Sequence, residues 1–268
     1  MIERCPTGIP GLDELLEGGF PRGRCILISG SCGTGKTTFG VQFLYNGIVQ
    51  YGEPGILVCL EQDPKELKQE MLCYGFDLEK VEQEGKLVII DASLSRLGLK
   101  PRRRETMPFE ATHITQLSGS MSLLPDEFNI ETLLEIITSK AKRIGARRAV
   151  IDSLPALDFL IVNSGYNMRD VIRQTLISMI YRLKLEGLTT LLITEVEEGG
   201  DKISAHGVES YIADGVIVLY YSTFGPTVGR NLTIRKMRGT KHSEDVHPIR
   251  FERGVGIRVF KAEETFKL

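Results

Sequence analysis

A short apolar run, residues 25–29, leads directly into Gly30-Ser31-Cys32-Gly33-Thr34-Gly35-Lys36-Thr37, and Val41, Leu44, Tyr45 and Ile48 then follow at helical i, i+3, i+4, i+7 spacing. No other feature constrains the fold as tightly. The eight residues satisfy G-x-x-x-x-G-K-[ST] in the strand–loop–helix setting that gives this pattern its meaning. The glycines let consecutive backbone N–H groups turn inward as an anion nest, without Cβ clashes. The helix then presents its amino end, Thr38 included, to phosphate. Residues 30–38 are thus expected to cradle a nucleoside triphosphate, with Lys36 at the β- and γ-phosphates and the Thr37 hydroxyl on Mg2+.

The rest of the chain repeats the alternation. Residues 56–60 read as a buried strand ending at Glu61, with a helix after Pro64. Residues 87–90 read as a strand ending at Asp91, and residues 149–151 as one ending at Asp152. Ile130, Leu133, Leu134, Ile137, Ala141 and Ile144 mark a helix, as do Ile172, Leu176, Met179, Ile180 and Leu183, which precede a strand at 190–194. This is an α/β pattern: a mostly parallel sheet with helices on both faces. Beyond residue 214 the strands at 216–221, 231–236, 248–251 and 256–260 have only turns between them, which predicts a C-terminal antiparallel extension of the sheet. A single domain over 1–268 is the simplest account. Residues 94–129, with Pro101, Pro108, Pro125 and the basic run Arg102-Arg103-Arg104, lack periodicity and read as a loop insertion, either a solvated loop or a partner-binding one.

Composition excludes several alternatives. A net charge of -2 gives no reason to expect a polyelectrolyte partner. Cysteines at 5, 25, 32, 59 and 73 are odd in number and form no C-x-x-C, the usage of reduced, mostly buried thiols in a cytoplasmic protein. No apolar run approaches the ~20 residues needed to cross a bilayer, so no membrane partner is expected. His113, His206 and His247 have no ligand-like spacing and read as ordinary surface or loop residues. Metal-dependent, thiol and serine hydrolase chemistries are not expected.

Two carboxylates complete the expected site. Asp152, at a strand end beside the loop, can hold hydrated Mg2+ through water. Glu61, if its strand neighbours the loop strand, can polarise an attacking water; otherwise it caps the helix after Pro64.

With these blocks in view, the sequence resembles the KaiC-like branch of the RecA superfamily. The resemblance covers nearly the whole chain. It rests on Thr7-Gly8-Ile9-Pro10-Gly11-Leu12-Asp13-Glu14-Leu15-Leu16, Gly18-Gly19-Phe20-Pro21-Arg22-Gly23, the phosphate loop, Val58-Cys59-Leu60-Glu61-Gln62, Val150-Ile151-Asp152-Ser153-Leu154, Gly207-Val208-Glu209 with Ile212-Ala213-Asp214, and Lys236-Met237-Arg238-Gly239-Thr240-Lys241-His242. What it implies is a RecA-like core that binds ATP, hydrolyses it to ADP, and assembles as a ring, usually a hexamer, with nucleotide between subunits. It also implies that Lys236, Met237 and Arg238 reach a neighbour's nucleotide, with Thr240 and His242 on the same side. Without the resemblance, Lys236 and Arg238 read as solvent-facing charges on an edge strand.

The pattern departs from the family twice. A frequent pair of glutamates is here Glu61 followed by Gln62. Ser210 and Tyr211 stand where clock-type members phosphorylate a Ser and a Thr, so autokinase activity is not carried over. The leading reading is a ring-forming ATPase whose nucleotide state controls a protein partner. One alternative is a DNA-binding recombinase relative, favoured by Arg102–Arg104 and opposed by an acidic loop with Glu195, Glu197, Glu198 and Asp201 against Lys202. The other is a nucleotide-dependent scaffold with little turnover.

Overall fold

The computed structural model describes residues 2–93, 115–117, 120–122, 130–160, 168–196, 203–222 and 228–262. β1 (Arg4–Cys5) and β2 (Phe20–Pro21) pair with each other. The main run then begins with β3 (Cys25–Gly30), α1 (Lys36–Tyr51), β4 (Gly55–Cys59), α2 (Pro64–Leu72), α3 (Leu78–Gln83) and β5 (Leu87–Asp91). It continues through β6 (Thr115–Leu117), β7 (Ser120–Ser122), α4 (Ile130–Ile144), β8 (Arg148–Asp152), α5 (Met168–Leu185) and β9 (Thr189–Glu195). A four-residue helix, α6 (Glu209–Ile212), precedes β10 (Gly215–Ser222), β11 (Gly229–Met237), β12 (His247–Glu252) and β13 (Gly256–Val259).

These strands form one sheet in the order β13-β12-β11-β10-β3-β9-β8-β4-β5-β7-β6. From β10 to β7 every pairing is parallel, and the expected antiparallel extension runs from β10 to β13. Side chains of β3 alternate between two cores. Ile26 and Ile28 pack with Phe39, Phe43 and Leu44 of α1 on one face, and Cys25 and Leu27 pack with helices α4 and α5 on the other. Helices on both faces explain why the central strands read as unbroken apolar runs. Helix α2 starts with Pro64 in its first turn, and the Asp63 side chain accepts from the Lys65 N–H at 2.7 Å. Asp63, not Glu61, is therefore the cap.

Two expectations need correction. Residues 94–129 are not all loop: β6 and β7 lie within them and extend the sheet, and the rest, Arg102–Arg104 included, fall outside the described residues. Nor does β4 neighbour β3, because β8 and β9 intervene. Among the described residues no helix is long and apolar enough to cross a membrane.

A buried charge locks the base of α1 to the sheet. Arg148 on β8 is fully buried; its Nε donates to Glu53 Oε2 at 2.7 Å, one terminal nitrogen donates to the Phe43 carbonyl at 3.0 Å, and its guanidinium lies 4.6 Å from the Phe43 ring centroid. Arg148→Ala leaves Glu53 with Arg22 alone, at 2.7 Å, and empties a fully buried site packed on Phe43, so it should cost about 3 kcal/mol of stability. A urea midpoint indistinguishable from wild type would contradict this.

Candidate nucleotide site

Four strand ends meet at the carboxyl edge of the sheet, where open α/β sheets hold ligands. There β3 enters the glycine-rich loop, β8 ends at Asp152, β9 ends at Glu195, and Glu61 follows shortly after β4. They surround a cavity of about 460 Å³, lined by Cys32, Gly33, Gly35, Lys36, Thr37, Thr38, Glu61, Asp152 and Glu195, with Tyr74, Arg230 and Phe251 on the remaining wall.

The loop has the geometry its glycines permit. Gly33 and Gly35 have φ of +73° and +102°, and a Cβ at 35 would stand 2.3 Å from the Phe251 ring. Behind the lining residues the loop is braced internally: the buried Thr34 hydroxyl donates to the Ser31 carbonyl at 2.8 Å. Lys36 is 6% exposed; its Nζ donates to the same carbonyl at 2.9 Å and pairs with Glu195 Oε1 at 3.2 Å. The ammonium is thus held at the cavity wall by two groups that a polyanion can displace.

Thr37 and Asp152 line the cavity together, and the Thr37 hydroxyl stands close enough to favour the ionised Asp152 carboxylate. Burial lifts the Asp152 carboxyl to about 6; Thr37 and Lys36 oppose the rise, while the nearby Glu61 and Glu195 carboxylates add to it. A hydroxyl beside a desolvated carboxylate is an oxygen-only donor set, which suits a hard cation such as Mg2+. Glu61 arrives by a route the sequence did not show. Its strand lies beside β8, and the Ser153 hydroxyl donates to Glu61 Oε1, which holds the carboxylate next to Asp152.

Sequence reasoning missed the opposite wall. Arg230 Nε donates to the Gly33 carbonyl at 3.0 Å, and its guanidinium lies 4.9 Å from the Phe251 ring centroid, with Tyr74 5.9 Å from the same ring. Flat aromatic surface beside a stacked cation suits a purine ring. These residues come from the α2–α3 turn and from β11 and β12; no local motif marks them. Glu195, expected on an acidic loop, is instead the last residue of β9 and belongs to this site, while Glu197, Glu198, Asp201 and Lys202 lie outside the described residues.

Cys32 provides a direct probe of the cavity. It is exposed on the wall, whereas Cys5, Cys25 and Cys59 are buried, with desolvation pushing Cys5 up to about 11 and Cys25 to about 12. Cys32 should therefore alkylate readily in the native protein, and saturating Mg·ATP should slow that labelling severalfold, read by peptide mass. Equal rates with and without nucleotide would remove the loop from the site.

Lys236, Arg238, Thr240 and His242 are not in this cavity. Met237 pairs with Gly215, and Gly215 lies beside Ile26, four residues before the Leu219–Gly30 pairing at the loop. At the rise of a strand, that separation is roughly 13 Å. Lys236 Nζ donates to the carbonyls of Ser210 (3.0 Å), Tyr211 (3.3 Å) and Ala213 (2.6 Å), and Arg238 donates to Tyr211 O at 3.1 Å. Arg4 donates to the Thr240 hydroxyl, and His242 Nδ1 lies 2.9 Å from Ser243 O. The Met237 side chain is buried in the core, so only its backbone is available to a ligand.

The short α6 is itself anchored. Burial raises the Glu209 carboxyl, but hydrogen bonds from His206 and from the backbone N–H groups of His206 and Val208 outweigh it and hold Glu209 down at about 2. His206 is thus a structural partner rather than a plain loop residue. His247 is not on the surface either: it is 2% exposed and bonds Ser243 and the Phe260 carbonyl. His113 lies outside the described residues.

Comparison with known proteins agrees with this geometry. A family model described as "ATPase: KaiC" matches residues 5–264. The circadian clock oscillator protein KaiC of Synechococcus elongatus is 35% identical over 247 residues, 92% of this chain and 42% of that protein. KaiC of Thermosynechococcus vestitus is 33% identical over 256 residues, 96% of this chain and 44% of that protein. The chain therefore spans less than half the length of these clock proteins. Among solved structures, a KaiC-like protein from the hyperthermophilic archaeon Pyrococcus horikoshii OT3 superposes with a TM-score of 0.77 at 37% identity, covering 97% of this chain and 100% of that one.

Proposed function

Since the chain belongs to the KaiC family of ATPases, we propose that it binds Mg·ATP in the cavity at the carboxyl edge of the sheet and hydrolyses it to ADP and phosphate. The observation that carries this reading is the convergence of Lys36, the Thr37–Asp152 pair and Glu61 on one 460 Å³ cavity floored by left-handed glycines. Lys36 Nζ exchanges Ser31 O and Glu195 for phosphate oxygens. Thr37 and Asp152 would hold the magnesium, and the ion when bound would neutralise phosphate charge. Glu61, with Oε1 occupied by the Ser153 hydroxyl, keeps Oε2 to accept a proton from water.

Charge spreading onto the γ-phosphate calls for cations on its far side. Lys236 and Arg238 stand at the wrong sheet edge to serve their own cavity, which supports their acting on a neighbour's nucleotide in a ring, a hexamer in the family's usual form. Residues 1–268 act as one ATPase unit, with residues 94–129 as an insertion, and the nucleotide state governs a protein partner. Five free thiols support a reducing, cytoplasmic setting. Autophosphorylation is not part of the reading.

Equilibrium dialysis with a parallel phosphate-release assay tests it. ATP should be retained only with magnesium, and phosphate should accumulate with time. No retention sinks the binding claim; retention without release leaves the nucleotide-dependent scaffold as the better description.

A further inference from the structure

Asp214 has no part in the cavity, yet its carboxylate is 1% exposed and faces three cations. Lys184 Nζ lies 2.6 Å from Oδ2, and the Cys25 N–H donates to the same oxygen at 3.1 Å. Arg24 and Arg238 stand 3.5 Å and 3.6 Å from Oδ1. The main chain already joins these elements: the Asp214 N–H donates to Cys25 O at 2.8 Å, and the Arg238 N–H to Asp214 O at 2.9 Å. The ladder therefore needs no carboxylate at this position, and a buried charge is expensive to keep.

What the carboxylate orders is Arg238 and, beside it, Lys236. Arg238 bonds Tyr211 O through one terminal nitrogen and turns the other toward Asp214. Its side chain is still 53% exposed, so part of the fork stays open to a ligand. Among the described residues Asp214 is the one carboxylate within ion-pair distance of Arg238. Lys236 meanwhile closes the end of α6 through three carbonyls, and α6 is fixed from behind by Glu209. Two like charges held this close repel. Burial and Arg238 both depress the Lys236 ammonium, and Asp214 opposes them.

We propose that Asp214 is the positioning residue for Arg238 and Lys236, fixing both cations beforehand in the geometry in which they meet a triphosphate. This deepens the shared-site reading above and rests on it. Cations set in place in advance stabilise developing charge without reorganising at the moment of reaction. A misplacement of about 1 Å can cost ~10²-fold in rate. Asp214 thus acts on turnover through Arg238 and Lys236, without touching the nucleotide of its own chain.

The test is Asp214→Asn in the full chain, which keeps the size and the acceptor for the Cys25 N–H but removes the charge. Lys184, Arg24 and Arg238 are each partly exposed and can turn to water, so the fold should survive. Should it not, Asp214→Asn with Lys184→Met, which removes the pair together, is read the same way. The variant should retain Mg·ATP as wild type does and turn it over ~10²-fold more slowly. Complementation then assigns the defect. Mixed equally with Lys36→Ala, with subunit exchange shown by a label, turnover should recover to about a quarter of wild type. The Asp214→Asn chain supplies an intact cavity there, and its neighbour supplies correctly held cations. Mixed with Lys236→Ala it should not recover, because neither chain has them. Wild-type turnover by Asp214→Asn alone, rescue by Lys236→Ala, or rescue by neither partner overturns the proposal and leaves the shared site standing. If Lys36→Ala and Lys236→Ala themselves show no recovery when mixed, the shared site and the role of Asp214 fall together.

Discussion

Equal amounts of Lys36→Ala and Lys236→Ala protein, each inactive alone, should hydrolyse ATP once mixed. The first variant keeps the cations but loses the phosphate-binding ammonium; the second keeps the cavity but loses a cation on the far side of the phosphate. Removing a cation of that kind costs ~10³–10⁵ in rate. Random mixing joins an intact cavity to an intact Lys236 at about a quarter of head-to-tail interfaces, so activity should recover to about that fraction of wild type. The physical reason is distance within one chain. Lys236 is tied to the carbonyls of Ser210, Tyr211 and Ala213 at the amino edge of the sheet, and the loop opens at the carboxyl edge. Continued inactivity of the mixture, with subunit exchange demonstrated by a labelled subunit, rules the shared site out. Full activity of Lys236→Ala alone would do the same.

What was legible in the sequence was whatever the chain encodes locally. The loop, the helix behind it and the buried parallel strands all follow from glycine placement and from runs that period and length identify. Asp152 was legible because a carboxylate at a strand end points to the ligand edge whatever the strand order. Strand order was not legible, and Glu61 shows the consequence. The expected reason for its role, a strand next to β3, is wrong, yet Glu61 reaches the cavity because β4 pairs with β8 and Ser153 holds the carboxylate. Tyr74, Arg230 and Phe251 were hidden because their common wall exists only after the antiparallel strands fold back over the loop. His247 was misread because its partners, Ser243 and the Phe260 carbonyl, meet it only in the folded hairpin. Helix α3 offers just two buried residues, Leu78 and Val81, too few to establish a period.

Glu61→Gln should lower ATP turnover by ~10²–10⁴ while leaving nucleotide binding nearly unchanged, the signature of a lost general base. Three carboxylates line the cavity, and their surroundings divide the work among them. Asp152, whose carboxyl Thr37 and Lys36 help to hold ionised against its burial, is the one proposed above to hold the cation. Glu195 is paired with Lys36 at 3.2 Å, so Glu195→Gln should alter nucleotide affinity, through the freedom of that lysine, more than it alters the rate. Glu61 bonds a hydroxyl instead of a cation, and Asp63 has already taken the cap of α2, so the Glu61 carboxylate has no structural duty that its amide would abolish. A glutamine there preserves size and can still bond Ser153, but it cannot accept a proton from water. Single-turnover phosphate release with the bound nucleotide measured in parallel separates the two quantities. Equal rates with rapid turnover in both would show that the water is activated elsewhere, whereas release too slow to detect from either would mark a protein in which ATP is a switch to be held rather than a substrate to be spent.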